Sequence, residues 1–78
     1  MPKLPVLSAR DLLRILRLMG FEEVRQKGSH IRLRHPDGRA TTVAVHGNSD
    51  LPKGLLRKII REDIGMELDE FILWHNTH

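Results

Sequence analysis

Ser29–Val45, SHIRLRHPDGRATTVAV, is the stretch on which the fold turns. From Ser29 to His35 the residues alternate. Ile31 and Leu33 point one way and His30, Arg32 and Arg34 the other, which is the period of a half-buried strand. Pro36-Asp37-Gly38 then fits a three-residue hairpin loop, with proline at the first turn position and glycine at the left-handed bulge position. That loop pairs His35 with Arg39, Leu33 with Thr41, Ile31 with Val43 and Ser29 with Val45. A two-residue Asp-Gly turn would put Val43 and Val45 on the charged face, because a one-residue slip exchanges the faces of a strand. The three-residue register keeps the apolar side chains together. It also puts Thr42, Ala44 and His46 on the same open face as His30.

Working outward, Phe21 to Gln26 forms a preceding strand, and Lys27-Gly28 turns the chain into the next. Upstream, Ser8 opens a helix. Asp11 stands three residues on, and Leu12, Leu13, Ile15, Leu16 and Met19 recur at helical spacing. Arg10, Arg14 and Arg17 take the opposite side, and Gly20 suits the left-handed position past a helix C-terminus. Downstream, Gly47 to Pro52 is a loop. A second helix starts with Pro52 in its first turn, buries Leu55, Leu56, Ile59 and Ile60, and stops at Gly65. A short third helix runs from Met66 or Glu67 to about Trp74, presenting Leu68, Phe71 and Ile72, with His75 to His78 frayed. The fold class is α+β, in the order α-β-β-β-α with a short C-terminal helix. The three-stranded antiparallel sheet has both main helices on its apolar face.

The chain has 78 residues and is expected to form a single domain, 1–78, with its core at about 8–72. It contains no cysteine, which excludes disulfides and thiolate metal sites and is compatible with a reducing cytoplasm. No apolar run approaches the roughly 20 residues of a membrane span, and the N-terminus lacks a signal-peptide core, so no membrane partner is expected. These features place the chain as soluble and cytoplasmic. Charge is unevenly distributed. Up to Arg61, 13 Lys and Arg stand against five acids, a balance of +8, whereas five acids and no Lys or Arg follow from Glu62. A basic body suits a polyanion partner, and an ordinary solvated mixed surface is the competing account. With Phe21, Phe71 and Trp74 as the aromatic set, base stacking on an aromatic platform is not the expected binding mode.

There is no phosphate-binding glycine loop, HExxH, cysteine pair or GxSxG elbow. His30, His35 and His46 have no histidine partner at helical metal-ligand spacing, and His75 and His78 lie in the tail, so no metal and no cofactor is expected. His30 differs in its setting: it follows Gly28-Ser29 and precedes Arg32 and Arg34 on one face. An imidazole titrates near neutral pH and can take a proton from one oxygen and return it to another. RNA carries its own nucleophile, the 2′-OH, beside each phosphate. Cutting it needs a base, an acid and cations to stabilise the phosphorane, and needs no metal. Lys27, Gly28, Ser29, Arg32 and Arg34 are the candidate RNA contacts, and His46 is a candidate second proton-transfer group. The residue pattern leaves plain alternatives open: His30 as an ordinary surface histidine and His46 as one satisfied by nearby backbone.

Leu18-Met19-Gly20-Phe21, Val24 to His30, Val45-His46-Gly47-Asn48, Leu51 to Ile59 and Gly65…Glu70-Phe71 together resemble the HicA (YcfA-like) toxins of bacterial toxin–antitoxin pairs. The ordered match runs from about Ser8 to Ile72. The resemblance implies a double-stranded-RNA-binding-like fold. It also implies an mRNA interferase that cuts without the ribosome through the histidine of Gly-Ser-His, here His30. The partner it implies is a HicB-like antitoxin that is locally acidic and covers the active face. This chain departs from the pattern in carrying Leu55 where a threonine is common, and Glu67 or Leu68 where a serine caps the last helix. Two other functions remain: a non-catalytic RNA-binding module, and an antitoxin-binding protein with vestigial activity.

Overall fold

The computed structural model describes residues 3–78. Its first helix, α1 (Ala9–Leu18), begins with a reciprocal cap. The Asp11 backbone N–H donates to Ser8 Oγ and the Ser8 N–H donates to Asp11 Oδ2, both at 3.1 Å. It ends in a Schellman motif: Phe21 N–H donates to Leu16 C=O and Gly20 N–H to Arg17 C=O. Gly20 sits at φ +102°, and a Cβ there would stand 2.9 Å from His35 Nε2. Leu12, Leu13, Ile15 and Leu16 are buried as their spacing predicts.

The sheet is antiparallel in the order β1 (Glu22–Lys27), β2 (His30–Arg34), β3 (Ala40–Ala44). The predicted β2–β3 register holds. Ile31 faces Val43 and Leu33 faces Thr41. His35 N–H donates to Arg39 C=O at 2.8 Å, and Val45 N–H donates to Ser29 C=O at 2.8 Å. The β1–β2 connection differs from expectation. Lys27 belongs to β1 and pairs with His30, and the turn is Gly28-Ser29, with positive φ at Gly28 alone. Glycine at the first central position is what a II′ hairpin requires.

Lys53–Lys58 forms α2 and continues as a π-helical segment, Ile59–Ile64, which stops at Gly65 with φ +77°. The third helix, α3, is Leu68–Asn76. Leu56, Ile59, Ile60 and Ile64 join Ile31, Leu33, Val43, Phe21, Phe71 and the α1 leucines in one buried cluster. The helices therefore cover the Ile31/Leu33 face and leave the His30 face open. Thr41, the buried polar residue of the sheet, donates its hydroxyl to Asp63 Oδ2 at 2.8 Å. Arg39 Nη1 donates to the Ile64 carbonyl at 2.6 Å. The hairpin is thus latched to the C-terminal end of the π segment at two adjacent residues, Asp63 and Ile64.

Three expectations need correcting. Pro52 is the residue before α2 rather than part of its first turn. Leu55 is exposed, because Leu56, Ile59 and Ile60 already fill the inward stripe. The C-terminal residues stay helical to Asn76, where Phe71 stacks on His75 and Trp74 on His78, each one turn apart. Among the described residues no helix is long and apolar enough to cross a membrane.

Candidate active site

The site is built from cross-strand rows, since residues directly opposite on antiparallel strands share a face. On the open face Lys27, His30 and Ala44 form one row, and Arg25, Arg32 and Thr42 the next. Glu22, Arg34 and Ala40 form the third. A β-bulge between Glu23 and Arg25 makes this possible. Above it Glu22 pairs with Arg34; below it the register moves by one and Arg25 pairs with Arg32. Without that extra residue Arg25 would oppose Ile31, on the other face.

His30, Lys27, Arg25, Arg32 and Arg34 are all exposed. Arg32 Nη1 donates to Thr42 Oγ1 at 3.1 Å, which lays the guanidinium across the sheet toward β3. Among the described residues, the ion pairs Arg17–Glu23 and Arg39–Asp37 lie away from these rows, and the one carboxylate in them, Glu22, stands opposite Arg34, two rows from His30. Gly28 and half-buried Ser29 form the turn immediately before His30. Gln26 Nε2 donates to the Gly28 carbonyl at 3.3 Å, and the Ser29 carbonyl takes the Val45 N–H. The imidazole of His30 is thereby carried by a tightly hydrogen-bonded hairpin end, with a cation opposite it and another one row away.

His46 is placed less firmly. The β3 ladder ends at Ala44 with one further bond at Val45, and His46 is exposed at the start of the following loop. It lines a cavity of about 260 Å³ together with Ala9, Ala44, Ser49, Asp50, Leu51, Pro52 and Leu55. Because Ala44 is the cross-strand partner of His30, this cavity adjoins the His30 row.

His35 serves the fold instead. Its ring meets Phe21 edge-on with centroids 5.2 Å apart. Nε2 is 3.1 Å from the Met19 carbonyl, and the Asp37 backbone N–H donates to Nδ1 at 3.1 Å. Nδ1 also lies 3.0 Å from Asp37 Oδ1, so the ring is tied to the helix end on one side and to the turn on the other. Asp37 is held below the usual carboxylate range, first by the Arg39 backbone N–H and further by the Arg39 guanidinium.

Sequence reasoning missed Arg25, whose place on the open face depends on the bulge. No sequence signal marked it, because β1 is exposed along its whole length and carries no apolar alternation. Sequence reasoning also missed Asp50, whose residue bridges Ser8.

The family model described as the HicA toxin of bacterial toxin–antitoxin systems matches residues 9–66. That span runs from the first residue of α1 to just past Gly65 and includes Gly28-Ser29-His30. The chain belongs to the HicA toxin family. As a HicA chain it is a toxin of the toxin–antitoxin kind, and a cognate antitoxin is its implied partner. No curated protein matches it.

Proposed function

We propose that this HicA chain is an endoribonuclease that cuts mRNA in the cytoplasm, working as a single domain with no metal or cofactor. The observation that carries this reading is His30 itself. It is exposed at a hairpin end, opposite Lys27 and beside Arg32, on a sheet face that no helix covers among the described residues.

The chemistry follows from that setting. The His30 imidazole takes the proton of the 2′-OH, and the 2′-oxygen attacks the adjacent phosphorus. Lys27 and Arg32 offset the charge that accumulates on the phosphorane oxygens, with Arg34 and the Ser29 hydroxyl holding the flanking phosphate. The P–O5′ bond then breaks and the leaving oxygen takes a proton, from His30 in turn or from His46. The products are a 2′,3′-cyclic phosphate and a 5′-hydroxyl. Gly28, lacking a side chain, allows the backbone of the turn to approach the RNA closely. A HicB-like antitoxin with an acidic surface would cover this face through the same cations.

A His30→Ala variant tests the assignment. The expected result is unchanged thermal unfolding, RNA affinity within a few fold of the parent, and cleavage down by about 100- to 10,000-fold. Growth inhibition on expression should disappear with it. A variant that still cuts RNA and arrests growth would remove His30 from the mechanism.

A further inference from the structure

The cavity beyond β3 is mainly apolar with a few polar groups in its lining. Its walls are apolar, with Ala9, Ala44, Leu51, Pro52 and Leu55, while His46, Ser49 and Asp50 supply polar atoms. It is held open by backbone: Leu51 N–H donates to Leu7 C=O at 2.7 Å, and Asp50 bridges Ser8. Leu55 lines this cavity and is 45% exposed as a residue instead of joining the core. Ala44 is shared between this cavity and the row that holds His30.

We propose that this cavity seats one nucleobase of the RNA next to the scissile phosphate, and that Asp50 selects a base carrying an exocyclic amino group. The inference rests on the nuclease reading above and specifies its substrate. The cationic rows fix the sugar–phosphate backbone along the sheet, so a base leaving that backbone beside His30 meets Ala44 and the apolar walls. Single-stranded RNA is recognised in this manner, by splayed bases held on their faces and read on their edges. A carboxylate only accepts hydrogen bonds. Guanine offers it two adjacent donors, and adenine and cytosine each offer an amino group. Uracil offers a single N–H flanked by two carbonyl oxygens that a carboxylate repels. The order of preference is therefore guanine first and uracil last. An apolar protein side chain would satisfy the walls equally well but would offer no donor to Asp50, which lines the cavity and is exposed.

The test is cleavage of a randomised single-stranded RNA pool, with sequencing of the ends. It compares the wild-type chain with Asp50→Asn, Leu55→Trp and His30→Ala, each checked for an unchanged thermal midpoint. The wild type should show a base bias at one position flanking the cut, with uracil disfavoured on the order of tenfold, the worth of one hydrogen bond. Asp50→Asn, which can also donate, should accept uracil. Leu55→Trp, which fills the cavity, should flatten the bias altogether. His30-dependent cutting with no bias, or with the same bias in all active variants, overturns the seat and leaves the nuclease standing. A wild-type chain that cuts no RNA overturns both. An unchanged base profile in Leu55→Trp with loss of binding to the antitoxin would assign the cavity to that protein instead.

Discussion

Gly20 carries two constraints at a single residue. It must hold φ +102° for the helix to end in its Schellman motif, and its Cα hydrogen faces the His35 ring with no room for a methyl group. That ring cannot easily retreat, since it is fixed between the Met19 carbonyl, Phe21 and the Asp37 amide. Gly20→Ala should therefore destabilise the chain by about 1–3 kcal/mol, combining backbone strain with displacement of His35. Urea unfolding of the variant against wild type checks it. A midpoint within error of wild type would mean that His35 moves freely. His35 and His30 thus illustrate opposite uses of one side chain type: the first is spent on packing, the second stands free on the surface.

At the scale of elements, the caps make the clearest stability prediction. The Ser8 hydroxyl satisfies an otherwise orphaned helix N–H, so Ser8→Ala should cost about 1 kcal/mol. Asp11, hydrogen-bonded by the Ser8 N–H and hydroxyl, has its pKa lowered. A depressed carboxylate contributes stability that is present above its unfolded pKa, about 3.9, and is lost as pH falls through the folded value. The chain should lose stability below about pH 4, and Asp11→Asn should flatten part of that acid slope in urea titrations at pH 3 and pH 6. Elements also show what the sequence made legible. The capping pair, Gly20, the Pro36-Asp37-Gly38 turn and the alternation at Ile31 and Leu33 each act over a few residues, so helix 1 and the β2–β3 register could be read directly. The bulge at Val24 could not, because β1 is exposed along its whole length and has no apolar alternation to fix its pairing. The π segment likewise has no proline or glycine to announce it. Leu55 was misplaced because the inward stripe of this segment runs through Leu56, Ile59, Ile60 and Ile64, which leaves Leu55 at its edge.

For the molecule as a whole, the uneven charge resolves into a geometry. The bulge adds Arg25 and Lys27 to Arg32 and Arg34, giving four cations around His30 with no ion pair among them in the described residues. If all four meet phosphates of single-stranded RNA, the logarithm of the binding constant should fall with the logarithm of salt at a slope of about −3. Arg25→Ala should reduce that slope by roughly one phosphate's share, about 0.7, while Arg10→Ala on the outer side of α1 should leave it unchanged. Equal effects from the two would place RNA elsewhere. The place of His30 on the open face with Arg32 and Arg34 was legible from the strand pattern, whereas that of Arg25 needed the three-dimensional register.

The central claim is that the RNA supplies the nucleophile and His30 moves the proton. It is tested most directly with one oligonucleotide cut by the chain, prepared as RNA and again with a single 2′-deoxy residue at the cleavage position, each with and without EDTA. The account predicts cutting of the RNA in both conditions, a 2′,3′-cyclic phosphate on the upstream fragment, and no cutting at the substituted position. Cleavage at the 2′-deoxy position, or cleavage abolished by EDTA, would contradict it.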